Sequence, residues 1–144
     1  MDHVAIMKKS WGLLPKIISG KKKIESRWYL SKRIPWDKVK KGDCIYFKNA
    51  GEKVGVKAVV RRVIQFEDLN PTKVKEILDK YGRLDGLEKE NIPYFFELFK
   101  YKRYCILVFL QSPQRIKPFF INKRGFGAMS AWISVDNIEE IKFI

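Results

Sequence analysis

The stretch at residues 20–28 reads GKKKIESRW, and the rest of the chain is interpreted outward from it. Three consecutive lysines precede an isoleucine, a glutamate, an arginine and a tryptophan. In a strand that begins at Lys23, alternate side chains share a face, so Glu25 and Arg27 are neighbours on one side while Ile24 turns toward the core. This order predicts a site for a flat, anionic ligand. The alternative is an ordinary ion pair beside solvated lysines, which contributes little stability.

Short β patterns with turn signals between them surround this stretch. Alternation of side chains is clearest at 54–66, and two helices open at asparagine-proline signals near 70 and 91. We predict strands at 3–7, 23–30, 43–48, 54–66, 103–112, 117–121, 128–135 and 138–143, a helical turn within 10–20, and helices at 71–82 and 91–101. This order favours a β-rich α+β fold, with a mainly antiparallel sheet or small barrel and helices at one side.

Four positions of the opening stretch fit the pattern G-x-K-x-x-E-x-R, namely Gly20, Lys22, Glu25 and Arg27. The match follows a short amphipathic helix and precedes a strand, and in this it resembles the ASCH superfamily. The closing segment GAMSAWISV is similar to related EVE-type domains. The resemblance implies a PUA-like fold over residues 1–144 as a single domain. That fold is a small mixed or antiparallel β-barrel flanked by short helices, with a helical insertion at about 71–101.

The charge balance indicates a polyanionic partner. Thirty lysines and arginines stand against 16 acidic residues, which gives a net charge of +14. Such an excess attracts nucleic acid first and an anionic membrane surface second. The resemblance adds a cleft beside the motif, suited to RNA or to a modified base. We therefore expect the partner to be RNA, such as tRNA or another structured RNA, and we expect no membrane partner.

Other classes of site have little support in the sequence. The longest apolar run, at 104–110, is too short to cross a bilayer, and we expect a soluble, cytoplasmic protein. Cys44 and Cys105 stand far apart without a CxxC pattern, and His3 is the only histidine. We expect free thiols, no catalytic or metal role for His3, no metal site and no cofactor.

The candidate nucleic-acid-binding residues are basic, acidic and aromatic side chains in or near the motif and in two loops. They are Lys21, Lys22, Lys23, Glu25, Arg27, Lys32, Arg33, Trp36, Arg124 and Trp132. Arginine can fork onto a phosphate or stack on a base, and glutamate can accept from a base amino group. A cleft for a base also needs an exposed aromatic face, for which we rank Trp36 and Trp132 above Trp11. Core packing is the alternative for each tryptophan.

Two other functions remain open. Some members of the resembling family are amidohydrolases that remove the acetyl group from N4-acetylcytidine, and Lys22 aligns with their catalytic lysine. The threonine nucleophile of these amidohydrolases is replaced here by Glu25. The only candidates for a second carboxylate are Glu52 and Glu67. Lys22 and Glu25 would then be the catalytic residues, in an amidohydrolase or in a ribonuclease. A protein-interaction module, as in the coactivator that named the family, is the third alternative.

Overall fold

The computed structural model describes residues 1–127 and 129–143. The strands are β1 (Asp2–Met7), β2 (Ile24–Tyr29), β3 (Cys44–Asn49), β4 (Val54–Phe66), β5 (Tyr104–Phe119) and β6 (Trp132–Val135). The α-helices are α1 (Leu14–Ser19), α2 (Pro71–Tyr81) and α3 (Ile92–Phe99). In the described part of the chain, no helix is both long enough and apolar enough to span a membrane.

The six strands form one curled sheet in the order β2-β5-β4-β3-β1-β6. β1 and β3 run parallel, and every other neighbouring pair is antiparallel. The sheet closes only halfway, so that it makes a half-barrel with β2 at one edge and β6 at the other. The prediction of a β-rich α+β, PUA-like fold with short helices is therefore confirmed.

Two apolar layers fix where the helices lie. Inward residues of β4, such as Val56 and Ala58, pack with Ile45 and Ile106 inside the curl. On the outer face, β2 and β5 pack against α2 and α3 through a second cluster that includes Trp28 and Phe95. Burial of such side chains is the main driving force for this arrangement. It places the connection between α2 and α3 directly beside the edge strand β2.

Local signals set the bounds of α2. The Asn70 side chain accepts a hydrogen bond from the Lys73 backbone N–H, and Pro71 occupies the first turn. Val74, Ile77 and Leu78 form its buried face at helical spacing. The connection that follows contains Gly86 at φ +82°, a left-handed conformation that favours glycine.

Two predictions near the C-terminus are wrong. β5 is one strand from Tyr104 to Phe119 rather than two, with an irregularity at Ser112, which has φ +53°. Its second half contains Pro113 and Pro118, and a sheet tolerates prolines there because β2 covers only the first half, so that one side of the second half has no strand partner among the described residues. The segment at 138–143 is a 3₁₀ turn, Ile138–Glu140, followed by a single bridge between Ile121 and Lys142.

The strand predicted at 128–135 begins only at Trp132, and position 128 lies outside the described residues.

Candidate nucleic-acid site at the open edge of the sheet

A cavity of about 270 Å³ occupies the gap that the half-barrel leaves open. The edge strand β2 forms one wall, and the end of β1, at Ile6 and Met7, lies opposite together with Ala131. Aromatic side chains make much of the remaining lining; they are Trp11, Trp28, Tyr29, Phe95 and Phe99. The Trp28 and Phe99 rings stack on each other with centroids 4.8 Å apart. The cavity therefore has a largely aromatic wall beside the edge strand β2.

Six polar side chains line the same cavity: the exposed Lys8, and Lys22, Glu25, Ser26, Arg27 and Asp85. The Lys22 ammonium is almost fully buried and donates to the backbone oxygens of Ile24 and Asp85, at 2.7 Å each. It also donates to the Asp85 carboxylate and lies 3.2 Å from Glu25 Oε1. Lys22 is thus a fully bonded support beneath the cavity, because its acceptors use the donors that an ammonium has.

Burial and charge separate the pKa values of the two carboxyl groups. Burial alone raises the pKa of Glu25, but the Lys22 ammonium and the Arg27 guanidinium bring it below its ordinary value. Burial raises the pKa of Asp85, and the attraction of Lys22 does not fully offset it because Glu25 adds a like charge. Burial opposes the charge of Lys22, yet Asp85 and Glu25 raise the pKa of the ammonium. Glu25 therefore stays ionised, and Asp85 takes up a proton more readily than Glu25 does.

Arg27 bridges the gap in the half-barrel. Its guanidinium donates to the backbone oxygens of Ala131 at 3.1 Å and Ile6 at 3.3 Å, and to Glu25 Oε2 at 3.0 Å. The Cζ atom of the guanidinium also lies over the Trp132 ring, 5.3 Å from the ring centroid. Arg27 thus joins β2 to the strands on the far side of the opening, with which β2 forms no backbone ladder in the described part of the chain.

Ser26 forms a second polar connection in the cavity wall. Its hydroxyl donates to Asp85 Oδ2 at 2.6 Å and accepts from Trp28 Nε1 at 3.1 Å. Asp85 in turn is bonded to Lys22. The result is a chain from hydroxyl to carboxylate to ammonium, with the hydroxyl at the cavity surface.

The motif residues of the sequence prediction are brought together, since Lys22, Glu25 and Arg27 all line the cavity. Trp132 is 1% exposed and lies behind Arg27, so it supports the wall without presenting a face. Lys21 and Lys23 point outward and are exposed.

The other predicted residues lie apart from the cavity. Lys32 lies 5.5 Å from the half-buried Trp36 ring, on the surface. Arg33 packs over Tyr29, whose ring reaches the cavity lining. Arg124 is exposed in the loop after residue 121.

Asp85 is the residue that sequence reasoning missed. Glu52 pairs with Lys9 and Glu67 with Lys32, both at the surface, so neither supplies the second carboxylate of the site. Asp85 supplies it from the connection after α2, sixty-three positions from Lys22. The available signal was an aspartate before a glycine between two leucines, in the segment LDGL. Ser26 was likewise overlooked inside the motif itself.

His3 has partners that its isolation in the sequence did not indicate. Its Nε2 lies 2.8 Å from Asp43 Oδ2, and its Nδ1 lies 2.8 Å from Ser134 Oγ. Trp132 Nε1 also donates to Nδ1 at 3.1 Å, which places the ring proton on Nε2. Burial lowers the pKa of His3 despite Asp43. The ring is a bonded core histidine, and no group of three or more potential metal ligands occurs among the described residues.

No family model matches the chain, and no curated protein matches it. Solved structures do. The ASCH protein of Zymomonas mobilis has a TM-score of 0.66 at 20% identity, covering 96% of this chain and 90% of that one. A mutant of the same protein has a TM-score of 0.67, also at 20% identity, with coverage of 96% and 93%. A protein described as hypothetical has a TM-score of 0.50 at 23% identity, covering 81% of this chain and all of that one. The chain has the fold of an ASCH domain.

Proposed function

We propose that this chain is an ASCH-type RNA-binding domain that takes one base of its RNA into the cavity at the edge of β2. The observation that supports this most directly is the lining of that cavity, where aromatic side chains stand beside Glu25, Ser26 and Arg27. Proteins recognise unpaired bases by stacking on aromatic rings and by hydrogen bonds to the base edge. A modified base is accommodated by the same chemistry.

The size and polarity of the cavity favour a base over a phosphate. Its volume of about 270 Å³ is near the lower end of small-molecule sites, which run from roughly 300 Å³ upward. The buried cluster pairs two cations, Lys22 and Arg27, with two carboxyl groups, Glu25 and Asp85, so it offers a phosphate little net attraction. A neutral base with donors and acceptors on its edge suits this charge-balanced cluster better than an anion does, and the exposed Lys8 is the remaining cation of the lining.

Affinity for the polymer would come from the surface. The net charge of +14 gives long-range attraction for phosphates, and such binding weakens as salt rises. The division of labour is a cavity that reads one base and a cationic surface that holds the backbone.

Filter binding tests this proposal. The full chain is titrated against a labelled tRNA and a labelled single-stranded oligoribonucleotide at several salt concentrations. We expect binding whose affinity falls steadily with salt, as counterion release requires. Absence of binding at low salt, or affinity that does not respond to salt, contradicts the proposal.

A cavity-blocking variant locates the site. Ala131 is exposed and lies in the cavity lining, so Ala131→Phe fills the opening without removing a buried contact. We expect the affinity to fall at least about tenfold, as for loss of one stacked base. The matched control is Ala50→Phe, at an exposed turn position outside the cavity lining, which should bind as the unmodified chain does. A folded Ala131→Phe variant with full affinity would rule out the cavity.

The Ser26 hydroxyl favours a second candidate, hydrolysis of an acyl group on a nucleoside. A nucleophile bonded to a base, and a base oriented by a third group, is the arrangement that activates hydroxyls. Ser26, Asp85 and Lys22 stand in that relation. Lys22 itself is unsuited to act as the base, because its neighbours keep the ammonium protonated.

The steps of this reaction balance without any further reagent. Ser26 Oγ bonds to the acyl carbon while Asp85 accepts its proton, and the carbon–nitrogen bond breaks as the departing amine takes that proton back. Water then hydrolyses the acyl-serine, again through Asp85. The raised pKa of Asp85 and the lowered pKa of Glu25 suit this division, in which one carboxyl group exchanges protons and the other stays charged.

Incubation with N4-acetylcytidine tests the second candidate. Cytidine and acetate should appear, and an acyl adduct on Ser26 should be seen by mass spectrometry after acid quenching. Ser26→Ala should abolish both signals, whereas Ser130→Ala should retain them, since Ser130 lies outside the cavity lining. Product no greater than with Ser26→Ala would dismiss hydrolysis while leaving base binding open.

A further inference from the structure

Two surface hollows continue the cavity along the outside of the molecule. The first has a volume of about 190 Å³ and shares Trp11, Leu13, Leu87 and Phe95 with the cavity. The second has a volume of about 560 Å³ and shares Gly86, Leu87 and two charged residues with the first. Because these residues are shared, the first hollow lies next to the cavity and the second lies next to the first, and we call the two outer hollows the track.

The half of the track next to the cavity is aromatic. Tyr94 is 50% exposed, and its ring lies 5.1 Å from that of Phe95. Trp11 meets the same Phe95 edge-on at 5.1 Å and reaches both the cavity and the track. An exposed ring supported from behind is a stacking platform, and any base can use it because every base has a π-face.

The far half of the track is cationic. Lys21, Lys23 and Arg83 line it and are exposed. Within the described residues, none of these three forms a salt bridge. The acidic residue there, Glu88, is paired with Lys16 at 3.0 Å, and that lysine lowers the pKa of the carboxyl. The far half thus keeps net positive charge for an anionic ligand.

We propose that the track carries the strand of a single-stranded RNA away from the cavity. This inference rests on the proposed function, and it names the substrate class of that same site. The nucleotide after the inserted base stacks at Tyr94 and Trp11, and the following phosphates contact Lys21, Lys23 and Arg83. An unpaired strand is required, because bases held in a duplex cannot stack on these side chains.

A charge-matched pair of triple variants tests the track. One variant carries Lys21→Ala, Lys23→Ala and Arg83→Ala. The other carries Lys38→Ala, Lys41→Ala and Arg61→Ala, at exposed positions outside the track, so both lose the same net charge. Affinity is measured for a single-stranded hexaribonucleotide, for a nucleoside monophosphate and for a hairpin duplex, across a range of salt.

We expect the track variant to lose at least about tenfold in hexanucleotide affinity and to flatten the log–log salt slope by about 2, from roughly 0.7 per phosphate contact. The control triple should keep the slope, and neither triple should change binding of the monophosphate by more than about threefold. Tyr94→Ala should weaken hexanucleotide binding about tenfold and leave the monophosphate unaffected.

The outcomes separate this inference from the proposed function. Equal losses and equal slopes in the two triple variants overturn the track, as does a duplex that binds more tightly than the single strand. If Ala131→Phe still blocks binding in that case, the cavity remains the site of the base. If the unmodified chain binds none of the three probes, both proposals are wrong.

Discussion

Lys22 is central to the structure of the cavity wall although its side chain is buried. Its ammonium is bonded to two carbonyls and two carboxyl groups inside the wall of the cavity. Removing one member of a buried ion network leaves the others charged and unpaired, which costs far more than losing a surface pair. The adjacent Lys21 provides a control, since it is exposed.

Lys22→Met is therefore expected to lower the free energy of unfolding by about 3–5 kcal/mol, because Glu25 and Asp85 lose their common partner. Lys21→Met should stay within about 0.5 kcal/mol of the unmodified chain. Urea denaturation followed by tryptophan fluorescence measures both. Equal stability of the two variants would contradict the view of Lys22 as a support.

The ionisation of Glu25 makes the stability of the fold depend on pH. Its pKa in the folded chain lies below the ordinary value of 4.5, so its ionisation stabilises the fold. That contribution is complete above the unfolded pKa and is lost as pH falls through the folded pKa. We expect Glu25→Gln to be less stable at neutral pH and to lose less on acidification below pH 4.5.

Urea titrations at a series of pH values compare Glu25→Gln with Glu76→Gln, an exposed position on α2. The free energy of unfolding of the Glu76 variant should change with pH as that of the unmodified chain does. The same pH dependence in the Glu25 variant would show that Glu25 ionisation is not linked to folding. Asp85 acts in the opposite sense, because its raised pKa makes the folded chain hold a proton more firmly as pH falls.

Among the elements, the connection between α2 and α3 packs closely against Lys22. A Cβ at Gly86 would lie 3.0 Å from Lys22 Cβ, whereas one at Gly51 would meet nothing within 4 Å. The two glycines have nearly the same backbone angle, with φ +82° and +77°. The pair therefore separates the cost of the left-handed backbone from the cost of crowding.

Gly51→Ala should lower the free energy of unfolding by about 1 kcal/mol, from the backbone conformation alone. Gly86→Ala should lower it by about 1–3 kcal/mol more, since the new methyl group pushes against Lys22. Chemical denaturation of the two variants checks the difference. Equal losses of unfolding free energy in the two variants would mean that the connection shifts to accommodate the methyl group, and that it does not hold Lys22 in place.

The elements differ in how accurately the sequence predicts their bounds. The bounds of β4 were predicted as they stand, because clear alternation from Val54 to Val60 leads into a further run of β-forming residues that ends at Phe66. β5 was divided in two because its prolines and Ser112 are local stop signals, and only its pairing with β4 carries the strand through them. Strand geometry predicted that Glu25 and Arg27 lie side by side on one face of β2. It did not predict the burial of Lys22, since that depends on a carboxylate far along the chain.

At the scale of the whole molecule, Arg27 holds an incomplete barrel together. It reaches from β2 to backbone oxygens of Ile6 and Ala131 across the opening. A planar guanidinium presents five donors in a fixed fork, which lets Arg27 reach acceptors on both sides of the opening. The predicted ASCH resemblance located this residue, but its bridging role needed the curvature of the sheet.

Arg27→Met should lower the free energy of unfolding by about 1.5–3 kcal/mol, as expected for lost hydrogen bonds to a charged group. Amide hydrogen exchange should accelerate in β1 and β6 more than in β4. Arg103→Met serves as the control, because that side chain is exposed and the substitution removes only a weak ion pair, in which Arg103 lies 4.0 Å from Asp68 Oδ1. Unchanged exchange at β1 and β6 would show that the opening does not depend on Arg27.

The unpaired half of β5 bears on how these molecules meet one another. A bare strand flank normally invites another chain to add itself as a further strand. Here Pro113 and Pro118 each withhold an amide hydrogen, and Arg115 and Lys117 set like charges against an approaching copy. Concentrated samples should accordingly stay dispersed, and the stretch should resist seeding of fibrils.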